Sequence, residues 1–121
     1  MMAKDDYHVI VYQILSYLYQ CLKSGEDIDT KRLGKDSEYF IVDGRALSDR
    51  YWCYILYNLQ KMRLIDGIIF SGRVDNYPYE RPVRWENCMI TPLGIEYLTD
   101  NSFMAKAVAV LKDAKAIVPF A

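Results

Sequence analysis

The stretch Leu47–Ile65, LSDRYWCYILYNLQKMRLI, constrains the fold more than any other part of the chain. At about 100° per residue, Trp52, Ile55, Leu56, Leu59 and Met62 gather on one side of a helix. Arg50, Tyr54, Tyr57 and Lys61 gather on the opposite side, at offsets of four, three and four. The spacing predicts an amphipathic helix over about 48–63, with a dry face for a core and a cationic, aromatic face for a partner. Ser48 is the expected N-cap, and Asp49 suits the positive end of the helix dipole. Asp66-Gly67 follows, and then GIIFSG (67–72) reads as a strand from its β-branched and aromatic content. This is the pattern of a recognition helix followed by a wing.

The 121 residues suffice for one domain with one core, and no boundary suggests a second. An apolar fraction of 52% with 26% charged residues is that of a soluble globular chain. No apolar run approaches the roughly 18 residues that a membrane span needs. The start, MMAKDDYH, places acids where a signal peptide has a basic and then apolar profile, so the cytoplasm is the expected location. Cys21, Cys53 and Cys88 are odd in number and widely spaced, so no disulfide framework is expected.

The net charge of −1 is unevenly spread. Residues 1–44 carry five Lys/Arg against eight Asp/Glu, whereas 45–66 carry four against two. Segments 67–91 and 92–121 each balance at three and three. The net-positive segment is therefore the one that holds the amphipathic helix. That favours a localised anionic partner, although an ordinary solvated helix face accounts for the same charges.

Before this helix, residues 5–24 read as a first helix, with Val11, Ile14, Leu15, Leu18 and Leu22 at helical spacing and Gly25 as its stop. Its tyrosines, Tyr7, Tyr12, Tyr17 and Tyr19, are expected to pack half-buried with their hydroxyls in water. Ile28 is expected in a single strand bridge, and Asp29 or Thr30 as the cap of a short second helix containing Leu33. Tyr39–Val42 form an apolar cluster, and Asp43-Gly44 signals a turn.

After the first strand, the loop 73–82 contains Pro78 and Pro82, which argue against regular structure there. Alternation over Arg84–Met89, ending at Ile90, predicts the second strand of the hairpin. The tip of the wing then carries Arg73, Asn76, Tyr77, Tyr79, Arg81 and Arg84 beside Asp75 and Glu80. Thr91-Pro92 is a cap followed by proline at the first helical position. The chain breaks near Asp100–Ser102, and a last helix over about 102–117 repeats Phe103, Ala107, Val110, Ala114 and Ile117, with Met104, Val108 and Leu111 widening the stripe. Such a stripe suits packing on the first helix, or a homodimer contact with a second copy.

The element order (helix, short helix, amphipathic helix, hairpin, ITPLGIEYL) resembles winged helix-turn-helix domains. More narrowly, WCYILYNLQKMRLIDGI, ITPLGIEYLTDNS and FMAKA resemble the YjcQ family of small bacterial and prophage-associated proteins. The resemblance is most specific over 51–106 and weaker over 29–46, where this chain carries a longer, more acidic connection. It implies a winged-helix fold and brings no particular activity. The expected class is mainly α with a small β-hairpin (α+β), a winged helix-turn-helix with an added C-terminal helix.

Chemistry for catalysis is missing from the pattern. His8 is the lone histidine, without ligand-spaced partners, and is expected at the surface or as a cap. The cysteines form no C-x-x-C pair, and no glycine-rich loop follows a strand, so neither a metal nor a nucleotide cofactor is expected. The reading is a non-enzymatic DNA-binding protein, a phage- or prophage-type transcriptional regulator. Ser48, Asp49, Arg50, Tyr54, Tyr57 and Lys61 would face the major groove, and Arg73, Arg81 and Arg84 the flanking phosphates. The alternative is a winged helix that binds a protein, because eleven tyrosines with a few arginines are the material of protein hot spots. Acids interrupting the basic strip, beside exposed aromatics, would favour the alternative.

Overall fold

A computed structural model describes residues 6–42 and 45–113. The first helix, α1 (Asp6–Ser24), buries Ile10, Val11, Ile14, Leu15, Leu18 and Cys21. It stops where Gly25 turns to φ 75°, so that the N–H groups of Gly25 and Glu26 both donate to the Cys21 carbonyl. Leu22 follows the same helical spacing as the buried residues, yet it is 57% exposed. Periodicity assigns a side of the helix but cannot say whether anything packs over its last turn. Tyr7, Tyr12 and Tyr19 are half-buried, whereas Tyr17 is buried and its hydroxyl accepts from the Asp29 N–H.

The expected second helix is absent: residues 30–39 form successive turns. Arg32 donates to Asp29, Gly34 to Lys31, Ser37 to Gly34 and Phe40 to Ser37, all through backbone groups. The Asp29 carboxylate does receive the Lys31 N–H, so the capping chemistry is present without a helix behind it. Gly34 lowers helix propensity by about 1 kcal/mol, and the Ser37 hydroxyl accepts the Tyr39 N–H, competing with helical bonding. Ile28 joins no strand. Leu33 and Phe40 anchor the segment in the core, and the Arg32 guanidinium lies between the Tyr17 and Tyr39 rings at 4.3 and 3.9 Å. Two short strands follow, β1 (Ile41–Val42) and β2 (Arg45–Ala46), paired antiparallel. The expected Asp43-Gly44 turn lies outside the described residues.

The amphipathic helix is α2 (Asp49–Lys61), and the Ser48 hydroxyl caps it by accepting the Tyr51 N–H at 3.1 Å. Trp52, Cys53, Ile55, Leu56 and Leu59 are buried. Met62, assigned to the dry side, is instead the C-cap and 46% exposed. The chain leaves α2 by a Schellman turn, with Leu64 N–H donating to Leu59 and Arg63 N–H to Gln60. Arg63 occupies the left-handed position at φ 65°, where a side chain costs about 1–2 kcal/mol. Arg63→Gly relieves that cost but adds roughly 0.4–1 kcal/mol of unfolded-state entropy. The expected net gain is about 0.5 kcal/mol, seen as a higher urea midpoint; a lower midpoint would refute the assignment of strain.

The hairpin is built of β3 (Ile65–Asp66), β4 (Ile69–Arg73), β5 (Glu80–Arg84) and β6 (Met89–Ile90), with β3 paired to β6 and β4 to β5. Its returning strand lies earlier than the alternation over 84–90 implied. Strand pairing resumes at Glu80 and includes the buried Pro82, where the register shifts and tolerates a residue without an N–H. Residues 85–88 instead turn, with Cys88 N–H donating to Trp85.

Helix α3 (Pro92–Asp100) starts at the Thr91 cap, and α4 (Ser102–Asp113) follows Asn101, whose side chain accepts the Phe103 N–H. Both α3 and α4 pack on α1, as does β6, while α2 packs on β3 and β5. The buried residues of α4 are Met104, Ala107 and Leu111. Of the expected stripe, Phe103 is exposed and Val110 half-buried, while Ala114 and Ile117 lie outside the described residues. The described residues thus form a mixed α and β structure of four helices with small antiparallel strand pairs. One apolar cluster joins α1, the 30–40 turns, α2, the hairpin and α4.

Candidate functional site

The face of α2 that the sequence left for a partner is partly occupied by the chain's own hairpin. Contacts run along the helix. Near its start the Asp49 carboxylate takes hydrogen bonds from Arg81, with the closest ion-pair distance 2.7 Å. Next, the Arg50 guanidinium stands 3.6 Å from the Asp75 carboxylate and 4.5 Å from the centre of the Tyr77 ring. Tyr54 meets Tyr79 edge-on at 5.5 Å, and Tyr57 meets Phe70 in the same way at 5.5 Å. At the far end the Gln60 side-chain amide bridges the Ile68 backbone, donating to its carbonyl and accepting its N–H, both at 2.9 Å. One glutamine thus satisfies both backbone groups of a residue in the link between β3 and β4.

The electrostatics follow from this docking. The Arg81 hydrogen bond holds the Asp49 carboxyl below its usual range, and the same bond raises Arg81. Arg84 pairs with Glu86; the Glu86 carboxyl is lowered first by a bond from its own backbone and then by Arg84. These pairs are substantially exposed, so water screens them and each adds little to stability. Their larger effect is on the surface field. Arg50, Arg81 and Arg84, three of the cations expected to contact DNA, each stand beside a carboxylate.

The remaining expected residues are dispersed. Ser48 is engaged as a helix cap. Tyr54 is 44% exposed, Tyr57 half-buried, and Lys61 exposed over the Tyr57 ring. Arg73 is exposed at the end of β4 and stands in no ion pair among the described residues. Asp75, Tyr77 and Tyr79, expected at the tip of the wing, complete the surface by lying against Arg50 and Tyr54. Tyr77 and Tyr79 stack at 5.5 Å, leaving Tyr77 39% exposed.

No group of three or more His, Cys, Asp or Glu among the described residues is placed to hold a metal. All three cysteines are buried and free, and burial pushes the Cys88 thiol up to about 12. His8 lies flat on Phe103, with ring centres 4.3 Å apart. Among the described residues, no helix is long and apolar enough to cross a membrane.

Comparison with known proteins adds a family and nothing more specific. No curated protein and no solved structure matches the chain. Residues 12–117 match the family described as YjcQ protein, which is most of the length, and the chain belongs to that family.

Proposed function

We propose that the chain is a winged-helix derivative that binds a protein rather than a nucleic-acid duplex. The order of α1, α2, a long hairpin and a closing helix follows the winged-helix plan, with turns in place of its middle helix. The observation that carries the binding reading is the pairing of Arg50, Arg81 and Arg84 with Asp75, Asp49 and Glu86. A helix reading a major groove needs its polar face free and its cations unopposed. Here the hairpin lies on that face and sets the Asp75 carboxylate against Arg50. What remains outward is Tyr54, Tyr77 and the paired Arg50, an aromatic–arginine surface of the kind concentrated at protein interfaces.

Fluorescence anisotropy of a labelled mixed-sequence duplex at low salt tests this directly. The expected result is no binding. Binding that weakens with a log–log salt slope of roughly −0.9 per phosphate contacted would overturn it. Crosslinking capture, comparing the natural chain with a Tyr54→Ala/Tyr77→Ala variant, is expected to show a protein partner lost with the two rings. Both rings are partly exposed, so the variant is expected to keep its fold.

Duplex binding retains one specific support. Lys61, Arg63 and Arg73 are exposed and stand in no ion pair among the described residues. If the duplex binds, Lys61→Ala and Arg73→Ala should each reduce the salt slope by about one, and a role in transcriptional regulation becomes the reading.

A further inference from the structure

The last turn of α1, the bend after Gly25 and the end of the hairpin enclose an open groove of about 450 Å³. Its floor is apolar and buried, formed by Leu18, Cys21 and Cys88. Two large apolar side chains stand at its edges in water, Leu22 at 57% exposure and Met89 at 52%. Isolated exposed leucines are ordinary; two flanking one apolar floor make a patch, and methionine adapts to the shape of what it meets. Every charged residue that lines the groove is an acid: Glu26, Asp27 and Glu86. Glu86 is partly offset by Arg84, whereas Glu26 and Asp27 stand in no ion pair among the described residues. The groove therefore has an apolar floor and a negative rim, and the rim sets the sign of what it accepts.

We propose that this groove docks a short basic amphipathic helix of a partner protein, with apolar residues against Leu22 and Met89 and lysines or arginines facing Glu26, Asp27 and Glu86. Helix-in-groove recognition divides the work in this way: apolar anchors supply most of the affinity, and charge selects the partner and its orientation. Nucleic acid is disfavoured at this rim by the same carboxylates. The groove shares no residue with the Asp49–Arg50–Tyr54–Tyr77 surface, so the proposal goes beyond the function proposed above and does not depend on it.

The test uses the full chain and two short fluorescein-labelled helical peptides, one of leucine and lysine, the other with glutamate replacing every lysine. The lysine peptide is expected to bind saturably and the glutamate peptide not at all. Glu26→Lys/Asp27→Lys should weaken the lysine peptide about tenfold, and Leu22→Ser by a similar factor. All three positions are exposed, so the variants are expected to melt with the natural chain. Backbone amide shifts on titration should cluster at residues 18–28 and 86–89. Equal binding of the two peptides, an unaffected Glu26→Lys/Asp27→Lys variant, or shifts centred elsewhere would each overturn the assignment. So would a concentration-dependent self-association abolished by Leu22→Ser, because the occupant would then be a second copy of this chain. A negative outcome leaves the protein-binding reading of the α2–hairpin face intact, since that face is probed by different variants.

Discussion

Gly94→Ala is expected to destabilise the protein by about 3 kcal/mol or more, although the residue lies in a helix. In an open helix the change would stabilise by roughly 1 kcal/mol, because alanine is the better helix former. The site reverses the sign. A Cβ on Gly94 would lie 2.1 Å from the Leu64 carbonyl oxygen and 2.7 Å from Cγ1 of Ile90. The nearer atom is backbone and is itself held, because the Leu64 carbonyl accepts the Thr91 N–H at 3.1 Å. Thr91 also donates its hydroxyl to the Arg63 carbonyl and accepts the Gly94 N–H. Relieving the clash requires α3 to withdraw from the end of α2, loosening these bonds together, at about 1 kcal/mol for each one lost. A fall in the urea midpoint of about 1 M or more is expected at a slope of roughly 1–3 kcal/mol per molar. Gly25→Ala is the control: nothing lies within 4 Å of its added Cβ, so only the left-handed conformation is penalised, by about 1–2 kcal/mol. A Gly94→Ala variant as stable as the natural chain would show that α3 does not sit against Leu64.

Trp52→Ala is expected to cost about 3–5 kcal/mol, the range for removing a large buried aromatic side chain. Trp52 is 6% exposed and packs edge-on against Trp85 at 5.3 Å. Its indole N–H also donates to the Leu33 carbonyl at 2.9 Å, a buried bond between α2 and the turns that replace the second helix. Trp52→Phe separates the two contributions. It keeps much of the packing but leaves the Leu33 carbonyl without its donor, at roughly 1–3 kcal/mol. In native-state hydrogen exchange, that variant should lose protection around 32–40 while the amides of α4 keep theirs. Uniform loss across the chain would mean that the tryptophan acts by bulk alone.

What the sequence revealed, and what it hid, divides by distance along the chain. Ser48 and Thr91-Pro92 marked the starts of α2 and α3 because a cap bonds to a group three residues away. The same local logic failed over 29–40. Asp29 makes its capping bond, yet whether a helix follows depended on Gly34, on Ser37 and on a tryptophan 19 residues beyond Leu33. Leu22 and Met62 each lie on the apolar side of a helix and are nonetheless exposed, and the open space beyond the helix ends has no local signature. The candidate site was the least legible part. Its aromatic and cationic residues were identifiable on α2, but Asp49 and Arg81 are 32 residues apart, and no spacing rule announces that a hairpin will lie back on the helix that precedes it.

The docking of that hairpin couples two measures of length. From Asp49 to Gln60 a helix advances about 17 Å, at roughly 1.5 Å per residue. The five residues of β4 span about the same distance, at roughly 3.3 Å each. The helix therefore acts as a gauge for the strand. An extra residue in β4 ahead of Phe70 displaces the later side chains of that strand to the opposite face, setting Phe70 away from Tyr57 on α2. An extra residue at the tip, among 75–78, leaves both arms in step. Natural variation in hairpin length should consequently gather at the tip, and any lengthening of the arms should be matched by a longer helix.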